Sequence, residues 1–155
     1  MPGKAIGKRT GYGYPGTVAR MSDAVISAYP AKGGDIGFGD PVVLNADGTV
    51  SKFGSASTAN QFIGVAVREV KQAKRDEEPA FYYKEGEPVD VLVRGSIAVS
   101  CPTGAPALRS AVHVKDGAFT ATATGAVKLN DNVIFTKKDV DPDKVTEITV
   151  LTRNA

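Results

Sequence analysis

Few side chains of this 155-residue chain have the type and spacing that catalysis or metal binding requires. His113 is the single histidine and Cys101 the single cysteine. A zinc site needs more ligands than these two residues supply, and a nucleophilic thiol needs a nearby base. Both residues lie in alternating apolar segments, which predicts an ordinary strand position for His113 and a buried side chain for Cys101. We therefore predict no enzyme activity, no metal and no cofactor.

The acidic run DVDPD contains carboxylates at Asp139, Asp141 and Asp143, which is the oxygen-rich chemistry that Ca²⁺ prefers. The run lacks the glycine and the distal glutamate of an EF-hand loop. A solvated turn is the interpretation that the sequence favours.

The stretch GYGYPG, residues 11–16, has the G-x-G-x-x-G spacing of a dinucleotide-binding loop. That loop must follow a buried strand and open a helix, whose N-terminal amides hold the pyrophosphate. The preceding MPGKAIGKRT contains no apolar run, and the segment that follows is short and stops at Pro30. The pattern therefore predicts no nucleotide site. Residues 1–20 are interpreted as a flexible cationic arm.

Basic residues are distributed unevenly along the chain. Residues 1–20 contain no acid and four basic side chains, which are Lys4, Lys8, Arg9 and Arg20. The remaining residues hold 15 basic and 17 acidic side chains, so an arm of charge +4 precedes a body of charge −2. This arrangement suits docking to an acidic surface, such as nucleic acid or the outside of a protein shell. The body shows no basic stripe or aromatic platform, so we predict no direct contact with nucleic acid.

Secretion and membrane insertion are not expected. The first residues lack the apolar core of a signal peptide, and no apolar run approaches the ~20 residues that span a bilayer. With one cysteine no intrachain disulfide can form, which fits synthesis in the cytosol.

From residue 35 onward the chain reads as short strands joined by glycine turns. Asp47-Gly48 and Asp116-Gly117 each lie between apolar alternations, which is a strong hairpin signal. The alternation in 62–70 predicts a half-buried strand, and 89–101 reads as a strand pair bent at Gly95. Further strands are predicted around Val133–Phe135 and through 145–150, and the charged segment 71–88 is expected to be a surface excursion.

This pattern predicts an all-β protein: a small sandwich or barrel of about eight to ten short strands. The division predicted is a flexible basic arm, residues 1–20, followed by a single β domain, residues 21–155.

Residues 16–152 resemble the bacteriophage head decoration, or structural cement, proteins. The most specific part is FIGVAVREV followed by EGEPVDVLVRGSIAV, which fits the family string (Y/F)-x-x-G-(D/E)-x-V-x-V-x-x-x-G-x-(I/V). The matching positions are Tyr83, Gly86, Glu87, Val89, Val91, Gly95 and Ile97. The resemblance implies a β-rich virion protein, often a homotrimer, that binds the outer face of the head near three-fold positions. It implies that the partner is the major capsid protein, whose neighbouring subunits it ties together. It supplies no catalytic residues.

Under this interpretation the arm docks on the shell, with tyrosines contributing contact area and basic side chains contributing charge attraction. The residues assigned to this contact are Lys4, Lys8, Arg9, Tyr12, Tyr14 and Arg20. The alternative function is a carbohydrate-binding or host-adhesion β module on the virion surface, which would need a concave site with exposed aromatic rings. The absence of tryptophan disfavours it.

Overall fold

A computed structural model describes residues 11–69 and 81–152, and this part of the chain is almost entirely β. Two 3-10 turns, Met21–Asp23 and Ala59–Gln61, are the helical elements within it. Twelve strands occur in chain order: β1 Val25–Pro30, β2 Ile36–Gly37, β3 Pro41–Leu44, β4 Val50–Lys52, β5 Phe62–Ala66, β6 Tyr82–Tyr83, β7 Pro88–Ser100, β8 His113–Lys115, β9 Ala118–Thr120, β10 Val127–Lys128, β11 Val133–Phe135 and β12 Val145–Val150.

The largest sheet has seven strands in the order β11-β12-β7-β5-β3-β4, with β1 also paired to β7. A three-stranded sheet, β10-β8-β9, and a two-stranded sheet, β2-β6, complete the fold. The all-β prediction is confirmed. Within the described residues the strands form open sheets, consistent with a small sandwich and not with a closed barrel. The strand count exceeds the predicted eight to ten because β2, β6 and β10 have two residues each, too short for an alternation to show.

β7 is the central strand, and the side chains of its two halves pack into different core clusters. Near its start Val89, Val91 and Val93 pack in one core cluster with Tyr83, while Ile97 and Val99 pack in a second cluster. The register against β1 shifts between Val25↔Arg94 and Ile26↔Leu92, so Val93 is an extra residue. The extra residue moves the side chains that follow it to the opposite face of the sheet. The two halves of β7 therefore contribute to two different core clusters.

Gly95 marks this change of face. It has φ 122°, a conformation that only glycine adopts without strain, and a Cβ there would lie 3.0 Å from Ala24 Cα. The predicted bend or bulge near Gly95 is therefore present, but the predicted strand pair is a single strand. The chain bends without breaking, and Pro88–Ser100 is one strand of 13 residues.

β5 is buried on both faces, in contrast to the predicted half-buried strand. All five residues of Phe62–Ala66 are buried, because Phe62 and Val65 belong to one core cluster and Ile63 and Ala66 to the other. The small residue Gly64 allows close approach to β7, since a Cβ at this position would lie 2.1 Å from the Leu92 carbonyl oxygen.

Both predicted Asp-Gly hairpins are present. β3 pairs with β4 across the loop that contains Asp47-Gly48, and β8 pairs with β9 across Asp116-Gly117. Asp116 and Gly117 have φ of 51° and 75°, the left-handed pair that a two-residue hairpin turn requires. The strands predicted around Val133–Phe135 and through 145–150 are β11 and β12.

The segment between GYGYPG and Pro30 forms the 3-10 turn Met21–Asp23 and strand β1. The predicted surface excursion at 71–88 falls mostly outside the described residues, apart from β6 and the turn that leads into β7. Within the part of the chain that the structure describes, no helix is long and apolar enough to cross a membrane.

Candidate functional site at the base of the arm

The residues assigned to the arm contact separate into two groups. Lys4, Lys8 and Arg9 lie outside the described residues, whereas Tyr12, Tyr14 and Arg20 are described. From residue 11 onward the chain lies against the β domain. The division of the chain at residue 20 stays a prediction.

Residues 16–19 pair with the second half of β7. The Gly16 amide donates to the Ala98 carbonyl at 2.7 Å, and the Ala98 amide donates to the Thr17 carbonyl at 2.9 Å. The Ala19 amide donates to the Ser96 carbonyl at 2.9 Å, and Val18 forms an antiparallel bridge with Ile97. This segment therefore pairs with β7 as a strand would, and its backbone N–H and C=O groups find hydrogen-bond partners within the domain.

Gly16 lies in a tight backbone junction. Its carbonyl accepts from the Arg68 amide at 2.8 Å, and a Cβ at Gly16 would lie 2.8 Å from that nitrogen and 2.9 Å from the Gly39 nitrogen. Gly16 and Gly39 both have positive φ, 86° and 82°. The last glycine of GYGYPG is thus required for backbone packing, and a three-residue 3-10 turn, not a helix, follows at Met21–Asp23.

Tyr12 is held by the acidic turn. Its amide donates to Asp141 Oδ2 at 3.0 Å, its hydroxyl donates to Asp139 Oδ1, and the Lys137 ammonium lies 5.5 Å from its ring centroid. We call Tyr12, Asp139 and Asp141 the clasp. It joins positions up to 129 residues apart in the chain.

Asp141 is a structural residue of this turn. It is 4% exposed, and its Oδ1 accepts from the amides of Asp143 at 3.0 Å and Val145 at 2.8 Å. The predicted solvated turn was therefore wrong at Asp141, because three backbone amides replace water around its carboxylate. Within residues 11–69 and 81–152, no group of three or more His, Cys, Asp or Glu side chains is placed to hold a metal ion.

Tyr14 differs from Tyr12 in that its ring faces solvent. The side chain is 68% exposed, and the Arg68 guanidinium carbon lies 4.4 Å from the ring centroid. This distance fits a cation–π pair, which leaves the other side of the ring available. Arg20 is exposed directly before the 3-10 turn.

Two grooves flank this part of the chain. One, of about 510 Å³, is lined by Gly11, Gly13, Tyr14, Pro15, Asp141, Asp143 and Val145. The other, of about 370 Å³, is lined by Thr17, Val18, Met21, Ile26, Val67 and Arg68. We define Tyr14, Met21, Ile26 and Arg68 as the arm-base face. Sequence reasoning named only Tyr14 of these four residues, because no local pattern indicates that the others meet it.

The two residues considered for catalysis, His113 and Cys101, occupy positions that the strands set. His113 lies in β8, paired with Thr120 of β9 and Lys128 of β10, as predicted for a strand residue. Cys101 is fully buried, and burial raises the pKa of its thiol above the usual range. A buried thiol of raised pKa is a poor nucleophile, in agreement with the predicted packing role.

Comparison with known proteins gives the family. A family model described as "Structural cement protein (E217 gp24/Pam3 gp6)" matches residues 2–152. No curated protein matches the sequence. A chain of the solved structure titled "The capsid of Myoviridae Phage XM1" superposes with a TM-score of 0.73 at 19% identity, covering 95% of each chain. At this identity the superposition shows a shared fold alone. Because the family model spans nearly the whole chain, the protein belongs to the structural cement proteins of bacteriophages.

Proposed function

We propose that this virion protein binds the outer face of the phage head as a homotrimer and bridges neighbouring subunits of the major capsid protein. The observation that carries the proposal is the family match over residues 2–152. His113 is a strand residue of β8, and Cys101 is a buried thiol of raised pKa, which supports a role that depends on binding.

Stabilisation follows from mass action. A protein that binds only the assembled shell lowers the free energy of that state, by ~2.7 kcal/mol per site at a hundredfold excess over the dissociation constant. Three attachments on one rigid trimer act through effective concentration, so the avidity exceeds the affinity of a single site by ~10²–10⁴. Repeated over the head, such contacts would resist internal DNA pressure without a covalent bond.

The arm supplies charge to this contact. Lys4, Lys8 and Arg9 precede Gly11, the residue at which the described chain begins. Because Tyr12 is clasped and residues 16–19 pair with β7, the point from which these basic residues extend is held on the body. We assign attachment to Lys4, Lys8, Arg9, Tyr14 and Arg20, and assign Tyr12 the additional role of fixing the base of the arm. Nucleic acid is not part of the proposed contact.

Reconstitution on empty heads tests the function. Purified protein is added to heads that lack it, and bound density is located by electron cryomicroscopy. We expect three-fold symmetric density on the outer surface that spans adjacent capsid subunits, together with a higher temperature of head disruption. Density confined to the tail or neck, or heads that stay bare, would reject the proposal.

A second candidate is the carbohydrate-binding or host-adhesion module. The groove of about 510 Å³ beside Tyr14 is a concave surface with one exposed aromatic ring and a nearby exposed carboxylate, Asp143. Aromatic rings and carboxylates are side chains that can contact sugars. Binding on a glycan array that is lost in Tyr14→Ala would favour this candidate.

A further inference from the structure

We infer that the arm-base face is the surface that seats on the partner, and that the partner surface is apolar at its centre and acidic beside it. The inference rests on the proposed function, in which that partner is the shell. It goes beyond that function because it specifies which side of the β domain faces the head.

The face combines side chains that are typical of interface centres. Met21 is 71% exposed, Tyr14 68% and Ile26 38%, which places all three among the exposed large hydrophobic side chains of the described residues. Tyr, Met and Arg are enriched at the centres of protein interfaces, and methionine adapts to irregular partners. Exposed apolar side chains that cluster, unlike scattered ones, indicate an interaction site.

The cluster is contiguous. Met21, Ile26 and Arg68 line the same groove of about 370 Å³, and the Arg68 guanidinium lies over the Tyr14 ring at 4.4 Å. Val67, 9% exposed, lines the same groove. Residues 14–26 and residues 67–68, which directly follow β5, thus form one surface.

The backbone under this face is fixed before any partner arrives. Gly16 bonds to both Ala98 and Arg68, and the clasp holds Tyr12. A surface that is ordered in advance loses less conformational entropy on binding, so more of its contact energy appears as affinity.

The chemistry of the partner follows from the charge and length of the arm. The ten residues before Gly11 carry Lys4, Lys8 and Arg9 and no acid, and ten extended residues span at most about 36 Å. The exposed Arg20 lies next to Met21 in the chain. A partner that covers the apolar face would therefore place its neighbouring surface within reach of four cations. A strongly acidic protein surface complements this charge better than the body of a second copy, whose net charge is only −2.

The test uses variants of the full chain and measures two properties. Met21→Ser/Ile26→Thr removes the apolar side chains from the face, and the matched control Leu108→Ser removes one that is 63% exposed in the loop between β7 and β8. Co-sedimentation with undecorated heads measures binding, and light scattering after size exclusion measures the oligomeric state. We expect at least tenfold weaker binding for the double variant, an unchanged oligomeric state, and normal binding for the control.

Substitutions of opposite charge at Met21 distinguish between the possible binding partners of the arm-base face. If an acidic surface covers Met21, Met21→Glu should bind heads at least tenfold more weakly than Met21→Lys. Loss of the oligomer in the double variant would assign the face to a second copy and overturn the inference. Unchanged head binding in the double variant would overturn it as well, while leaving the proposed function intact. Failure of the unmodified protein to bind heads would reject the proposed function and this inference together.

Discussion

At the residue scale, two tyrosines that are two positions apart have different roles because their surroundings differ. Tyr12 is partly buried and bonded to two carboxylates, whereas Tyr14 is 68% exposed beneath Arg68. From the sequence both are assigned to attachment, since each is an aromatic side chain of the glycine-rich stretch GYGYPG. Asp139 and Asp141, which lie more than 120 positions further along the chain, bind Tyr12. Of the two tyrosines, Tyr14 therefore remains available for contact with a partner.

Gly16 offers a test of the backbone junction. Gly16→Ala should destabilise the fold by about 2–4 kcal/mol, because it adds a steric clash to a left-handed backbone conformation. Gly13→Ala is the matched control, since Gly13 has φ 97° but a Cβ added there would meet no atom within 4 Å. The control should lose about 1–2 kcal/mol from backbone strain alone. Urea unfolding measures both, and equal losses would show that the junction does not constrain residue 16.

Tyr83 offers a test by pH. Its ring is buried, and its hydroxyl donates to the Val67 carbonyl at 2.6 Å, so Tyr83→Phe should cost about 1–3 kcal/mol at pH 7. Burial raises the pKa of Tyr83 well above its usual 10, with neighbouring carboxylates adding to the shift. Because the folded pKa is the higher one, this contribution is complete below about pH 10 and is lost as the pH rises further.

Unfolding of the two proteins from pH 7 to 11 provides the measurement. The unmodified protein should lose more stability above pH 10 than Tyr83→Phe does, because only the unmodified protein carries this buried phenol. Parallel pH profiles above pH 10 would contradict the assignment.

At the element scale, β7 and the segment 16–19 show where sequence reasoning succeeds and where it stops. The alternation in 89–101 correctly predicts strand, and Gly95 correctly indicates an irregularity. That the irregularity joins two halves of one strand depends on β1 and β12, which pair with different halves of it. The pairing of 16–19 with β7 has no local signal, because the segment contains only four residues and no alternation.

Proteolysis tests whether the clasp stabilises the arm base. Trypsin should cleave slowly after Arg20 in the native protein, because residues 16–19 are paired with β7. Asp141→Ala removes the acceptor for three backbone amides and should accelerate that cleavage at least tenfold. Asp143→Ala is the control, since Asp143 is exposed and contributes its amide, not its carboxylate, to the turn.

Cleavage after Arg94, in the middle of β7, reports global unfolding in the same digests. A clasp that acts locally predicts faster cleavage after Arg20 relative to Arg94. Equal acceleration at both sites would mean that Asp141 supports the whole domain instead.

At the scale of the whole molecule, charge and packing are assigned to different parts of the chain. The buried residues of both apolar clusters belong to the body, which has a net charge of −2, whereas the arm has a charge of +4. Attachment and folding should therefore be separable by mutation.

Neutralising the arm tests this separation. Lys4→Gln/Lys8→Gln/Arg9→Gln should weaken binding to undecorated heads at least tenfold and reduce the salt dependence of that binding, because attraction between exposed charges is screened by salt. The temperature of unfolding should stay within about 2 °C, as expected for surface substitutions away from the core. Lys84→Gln/Lys115→Gln/Lys138→Gln is the control, since it removes the same charge from exposed positions of the body. Equal loss of binding in the two triple variants would show that net charge, and not the arm, governs attachment.

The sequence by itself determined the all-β class, the Asp-Gly hairpins, most strands and the scarcity of catalytic residue types, because these depend on alternation, turn chemistry and residue type within a few positions. The family string could be recognised for the same reason. The structure shows roles for three of its seven positions: Tyr83 fills the core, Gly86 has φ 86°, and Gly95 accommodates the bulge. Only the tertiary structure decided that Gly16 is confined between Gly39 and Arg68, that Tyr12 is clasped, and that Met21 and Ile26 meet Arg68 beside Tyr14. These contacts join residues tens to more than a hundred positions apart, and such encounters are fixed by sheet pairing and close packing, which no local pattern encodes.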